Sequence, residues 1–231
     1  MKYKFSKFFL VFVGAIVVAY LVFSAKVYPV ATVNDIFISA KSFDLTASAA
    51  TNYYAQALKV YRLNTSSTQE EFTSEMRRAA LQSLIEDTLI TAELQKTYEP
   101  TSLEGAITKR VGDTLASSTE ITPEAIKTLF GLTMDDFKIM ILAPRARQEI
   151  LQHDLAAKHS DLETWLPDAL ARATVSIALT DLVWHNHQVE STNQPSYTSQ
   201  IKKAFEQIVS STAALTASST ASSSAPQTPS Q

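Results

Sequence analysis

The chain has 231 residues, 45% hydrophobic and 19% charged, with a net charge of −3 and no cysteine. That length holds one domain with a well-filled core plus additional segments, and the missing thiols exclude cysteine nucleophiles, zinc ribbons, iron–sulfur clusters and CxxC redox centres. Four scattered glycines, Gly14, Gly105, Gly112 and Gly131, form no phosphate-cradling loop, and the mildly acidic balance argues against nucleic acid as a partner.

In chain order, the first element is an uncharged run, Phe8 to Ala25, FFLVFVGAIVVAYLVFSA. As a helix it spans roughly 27 Å, close to the hydrocarbon thickness of a bilayer. Twelve of its side chains are Phe, Leu, Ile or Val, which together favour insertion by several kcal/mol. Lys2, Lys4 and Lys7 precede it and only Lys26 closely follows. The expectation is a single-pass anchor in the cell membrane with residues 1–7 cytoplasmic and the bulk of the chain extracytoplasmic. A cleaved signal peptide is the alternative, although Val22-Phe23-Ser24 and Phe23-Ser24-Ala25 are poor cleavage patterns.

Tyr28 to Ser39, YPVATVNDIFIS, predicts two short strands around an Asn34-Asp35 turn. Ser39 and Ser42 offer N-caps for a helix over Phe43 to Leu63. The strongest periodic signal runs from Gln69 to Tyr98, with Phe72, Met76, Ala80, Leu84, Ile85, Leu89 and Leu94 on one stripe. A weaker amphipathic helix covers Leu103 to Ala116. Thr122-Pro123-Glu124 then starts a short helix that Gly131 stops. Thr133 caps a further helix through Leu155, which Pro144 kinks or breaks. Leu162 to Arg172 adds another helical turn or two. Val175, Ile177 and Leu179 alternate as a strand would, and Val30 to Ile38 is its only good partner, so the two ends of the domain are expected to meet. The fold class is therefore mostly α, a helical domain over residues 27–190 with a small β element pairing early and late strands. Residues 191–231 form a Ser/Thr-rich low-complexity tail, with a short amphipathic stretch at Ile201 to Val209 and expected disorder beyond it.

Few residues suggest chemistry. His185 and His187 form an H-x-H pair that on a strand would put both imidazoles on one face, yet no third metal ligand accompanies them. Asp135-Asp136 and Glu70-Glu71 sit where helices begin, and a favourable helix-dipole interaction accounts for them without acid–base catalysis. No serine lies in a nucleophile motif. No catalytic, cofactor-binding or metal-ligating residue is expected.

The segments VATVNDIFISAKSFD and RRAALQSLIEDTLITAEL, behind an apolar anchor, resemble the N-terminal chaperone domain of SurA-type extracytoplasmic folding factors. Val30, Ala31, Val33, Asn34, Ile38, Ser39 and Phe43 match the family opening, with Asp35 where glycine is usual. Leu84, Ile85, Leu89 and Ile90 fit its leucine-rich helix, and Glu93 stands near where a small residue is common. Ile121 to Leu155 is similar to the family's third block, and the late strand to its closing element, so the resemblance spans roughly Val30 to Leu179. Isomerase members carry a parvulin domain of about a hundred residues, for which this chain has no room. The resemblance thus implies a chaperone-like protein that binds unfolded or newly exported polypeptides without isomerase activity or cofactor. A non-catalytic adaptor gripping one membrane-associated partner is the alternative. Tyr53, Tyr54, Tyr61, Phe72, Met76, Phe130, Met134, Phe137 and Met140 are the candidate client-binding side chains, the aromatics for apolar surface and the methionines for adaptability. Any single one of them suits a core position better than a surface one, while some member of the set is expected to line a client groove. Oligomeric state is not legible.

Overall fold

Two stretches of β structure, one early and one late in the chain, bracket a set of helices arranged along a single long one. The computed structural model describes residues 26, 28–61, 69–118 and 120–192. Strand β1 (Pro29–Val33) and strand β2 (Ile36–Ser39) pair antiparallel through a turn whose Asn34 and Asp35 both take positive φ, 47° and 68°. Asn and Asp tolerate that left-handed backbone because their short polar side chains bond locally. Here Asn34 does more, because its side-chain oxygen accepts from the Thr174 N–H and its own N–H donates to the Thr174 carbonyl. The turn thereby leads the late strand β3 (Val175–Ile177) onto β1, giving a three-stranded sheet of order β2-β1-β3. The expected meeting of the two ends occurs in this sheet.

Helix α1 (Ala40–Tyr61) begins directly after β2, with Ser39 Oγ accepting from the Ser42 N–H as its cap. Helix α2 (Gln69–Thr97) is the spine. Its buried positions, Phe72, Met76, Ala80, Leu81, Ile85, Leu89, Ile90 and Leu94, recur at spacings of four broken by the adjacent pairs 80/81 and 89/90, and so move around the helix. That drift lets different neighbours cover different lengths of it. The N-terminal half, through Leu81, Ile85 and Leu89, packs with the sheet, Phe43 and Ala47 of α1, and Leu170. The C-terminal half, through Ile90 and Leu94, packs with Leu103, Ile150, Leu151 and Leu155. Each fully buried aliphatic side chain contributes about 1.5–3 kcal/mol.

Helix α3 (Pro100–Ser117) follows, then α4 (Pro123–Phe130), capped by Thr122 Oγ1 on the Ala125 N–H and closed by Gly131 at φ 71°. The positive φ of Gly131 favours glycine there, and a Cβ at this position would push aside the side-chain amide of Asn52 in α1. Thr133 caps α5 (Met134–Phe137). Pro144 does not break the helical path of the chain. A π-helical turn, Lys138–Leu142, leads into α6 (Ala143–Ala157), with the Ala143 N–H donating to the carbonyl of Lys138 five residues back. The widened turn accommodates the proline ring where an α-helical carbonyl would clash with it. A third cluster, Ala49, Ile126, Leu132, Phe137 and Leu142, joins α1, α4 and this π turn.

Helix α7 (Leu162–Arg172) is capped by Asp161 and runs for 11 residues, longer than the turn or two expected. After β3 comes a hairpin that the sequence reading did not resolve, β4 (Leu182–His185) with β5 (Gln188–Ser191). Its turn residues are Asn186 and His187, both at positive φ, 49° and 63°. The two histidines therefore do not share a strand face: His185 ends β4 and His187 lies in the turn.

Among the described residues no helix is long and apolar enough to cross a membrane. The expected anchor at 8–25 and the cytoplasmic residues 1–7 lie outside the described residues, as does the tail from Asn193, including Ile201 to Val209.

Candidate functional site

The exposed apolar surface of α1 and α4 is built by their shared clamp. Asn52 Nδ2 donates to the Phe130 carbonyl at 3.2 Å, holding the end of α4 against α1. One residue further along α1, the Tyr53 ring stacks on Phe130 with centroids 5.1 Å apart and planes 9° from parallel. Tyr54 stands edge-on to Tyr53 at 5.6 Å and 82°, and Phe130 is tilted against Phe137 at 5.2 Å. The four rings form a ladder running from solvent into the core. Tyr53 and Tyr54 are 43% and 51% exposed, Phe130 is half-buried and Phe137 is buried. Offset and edge-to-face ring pairs contribute about 0.5–1.5 kcal/mol each beyond burial, enough to hold the outer rings in place while leaving their far faces open.

A second apolar recess of about 440 Å³ opens between α2, α3 and the π turn. Leu103, Ile107, Val111, Ile139 and Ala143 supply its apolar lining, with Lys138 and Arg147 among the charged residues beside them. Ile139 is 64% exposed, which is unusual for an isoleucine within a packed helical rod. The π turn presents it, because the extra residue in that turn shifts side chains around the helix axis. Arg147 is held by a bidentate pair with Asp87 of α2, at 2.8 and 2.6 Å, which fixes one wall of the recess.

The nine candidate residues thus separate. Tyr53, Tyr54 and Phe130 come together on the surface ladder. Met134 and Met140 are half-buried, and Met134 packs on the cluster around Phe137. Phe72, Met76 and Phe137 are core side chains and present no face to a ligand, because each lies on the inward stripe of its helix. Tyr61 ends α1, and its side chain lies outside what the structure describes. Sequence reasoning passed over Ile139, Leu129, Ile36 and Phe37, all exposed, and the recess beside α3. The available signal was the surplus of apolar residues in Lys138–Leu142, KIMIL, more than one helical stripe can bury.

Asp135 and Asp136 lie in the first turn of α5, where Thr133 Oγ1 accepts from the Asp136 N–H at 3.1 Å. Glu70 and Glu71 lie in the first turn of α2. His185 Nδ1 lies 3.1 Å from Glu190 Oε2, and the Gln188 side-chain amide, followed by His185, holds the Glu190 carboxyl below its ordinary value. Among the described residues no three His, Asp or Glu side chains gather as a metal site.

No curated protein and no solved structure matches the chain. The family model described as the SurA-like N-terminal domain matches residues 1–99, a span that closes just after the end of α2 and takes in β1, β2, α1 and the spine. Residues 1–99 are thus similar to a SurA-like N-terminal domain.

Proposed function

We propose that the protein is a membrane-anchored, extracytoplasmic chaperone-like factor that binds unfolded or newly exported polypeptides on apolar helical surface, without isomerase activity. The observation that carries this reading is the Tyr54–Tyr53–Phe130 ladder, ordered by stacking and by the Asn52 clamp yet open on its outer side. Rigid tyrosines offer large amphipathic contact area at low entropic cost, which suits a site that must accept many sequences. The SurA-like match supports the chaperone-like class, and the apolar run at 8–25 supports a site of action beside the membrane. With Phe72, Met76 and Phe137 assigned to the core, the client surface among the described side chains reduces to Tyr53, Tyr54 and Phe130, with Met134 and Met140 at half-buried positions and Tyr61 outside the described side chains.

The test uses the full chain in detergent micelles. At several-fold molar excess it is expected to suppress aggregation of a chemically unfolded model protein, and the Tyr53→Ser/Tyr54→Ser double variant is expected to lose most of that suppression while still unfolding cooperatively, its midpoint lowered only by the lost ring pairs. A proline-limited refolding reaction is expected to run at its uncatalysed rate. Absence of suppression by the unaltered chain would overturn the client-binding reading, and selective capture of one folded partner would replace it with the adaptor. Accelerated refolding would restore an isomerase.

A further inference from the structure

Among the described residues, three further exposed apolar side chains lie where the chain enters the fold, with Val183 on β4 apart from them. Tyr28 is 37%, Ile36 42% and Phe37 72% exposed, all within ten residues of one another. On β2 successive side chains alternate faces, and Ile38 is buried, so Phe37 points away from the core. Its cross-strand partner on that outward face is Thr32, and beyond Thr32 lies Ser176 of β3, so no larger side chain of this sheet covers the ring. β2 is also an edge strand.

The entry point is fixed by the backbone. The Lys41 N–H donates to the Lys26 carbonyl and the Ala40 N–H to the Tyr28 carbonyl, both at 2.9 Å, and Lys26 is ion-paired with Asp44. Lys26 is therefore tied to the junction of β2 and α1. From that junction Phe37 is only about four residues along an extended strand, or ~13 Å. The 25 residues that precede Lys26 end on the uncharged run 8–25, immediately before this junction. Lys41 is exposed at the same junction.

We infer that the β1–β2 hairpin, through Phe37 together with Tyr28 at its entry, seats on the surface of the lipid bilayer beside the anchor and holds the helical domain against the membrane. This rests on the anchor reading under Proposed function. Aromatic rings are favoured at the headgroup level, where an apolar body and polar surroundings are both satisfied, and exposed lysine favours anionic lipid. A tether of this length leaves the hairpin within reach of the interface.

The natural absence of cysteine makes the test direct. The full chain is reconstituted in vesicles of phosphatidylcholine and phosphatidylglycerol containing nitroxide-labelled lipids, with a single fluorophore on Val17→Cys, Thr32→Cys or Lys158→Cys. Lys158, at the C-terminal end of α6 and separated from β3 by the 11-residue helix α7, serves as the comparison position. A nitroxide at the bilayer centre is expected to quench the label at 17. A nitroxide at the headgroup is expected to quench the label at 32 by roughly half or more and leave 158 nearly unchanged, and Phe37→Ser is expected to abolish the quenching at 32. Quenching at 17 without quenching at 32 overturns the inference while preserving the anchor. Absence of quenching at 17 overturns the anchor itself. A label at 32 that responds to added unfolded polypeptide and not to lipid assigns the edge strand to a client instead, and also overturns the inference.

Discussion

Glu86 shows what the spine costs at the level of one side chain. It sits between Ile85 and Asp87 on α2, its nearest polar partner is the Gln82 amide at 2.7 Å, and burial pushes its carboxyl above the ordinary value while the Gln82 hydrogen bond pulls it partly back. Because the folded state holds this proton more tightly than the unfolded chain, the ionised form is the one that destabilises. The penalty is absent below the ordinary carboxylate range and fully present above the raised value, so stability falls as pH rises through that window. Glu86→Gln is expected to raise the urea midpoint at neutral pH and to match the unaltered protein at pH 3. Equal midpoints at both pH values would refute the assignment. Gln82 itself is committed elsewhere as well, since its Oε1 accepts from the Val189 N–H while Arg78 Nη1 donates to the Val189 carbonyl. Two side chains of α2 thus occupy backbone groups on the outer edge of β5, as a neighbouring strand would.

Between elements, polar ties hold the helices in register where apolar packing alone is nondirectional. The Asp87–Arg147 pair joins α2 to α6, with both side chains less than one-fifth exposed. A double-mutant cycle on Asp87→Asn and Arg147→Gln is expected to give a coupling of about 1–2 kcal/mol by urea unfolding, and additive effects would show the pair to be incidental. Elements were legible in the sequence wherever a short-range signal ended them. Ser39, Thr122, Thr133 and Gly131 mark their boundaries in the chain as they do in the sequence, because a cap is a bond between residues three or four apart. The β4–β5 turn was not legible. Asn186-His187 lacks the glycine that usually announces such a turn, and the hairpin is held in place by α2, about a hundred residues earlier. The π turn at Lys138–Leu142 was hidden for a related reason. Pro144 signals that a regular helix cannot pass, but only the packing of Phe137 and Leu142 into one cluster selects a widened turn over a break.

For the molecule as a whole, the family match and the folding unit have different limits. Residues 1–99 carry the match, but the described residues within it leave the outer edge of β1 and the C-terminal stripe of α2 to be covered by β3, α3, α6 and α7. A fragment of residues 26–99 is therefore expected to show no cooperative urea transition by circular dichroism, while residues 26–192 unfold in one. A sigmoidal transition in the shorter fragment would show that the spine and hairpin suffice. The sequence by itself determined the helical class, the helix boundaries to within about three residues, the first hairpin and the need for its late partner strand, since capping, turn chemistry and apolar periodicity act over a few residues. Only the tertiary structure decided which apolar residues are surface. Tyr53 and Phe72 look alike as aromatics on amphipathic helices, yet Tyr53 stacks outward on Phe130 while Phe72 is enclosed, because exposure depends on which distant segments fold over a position.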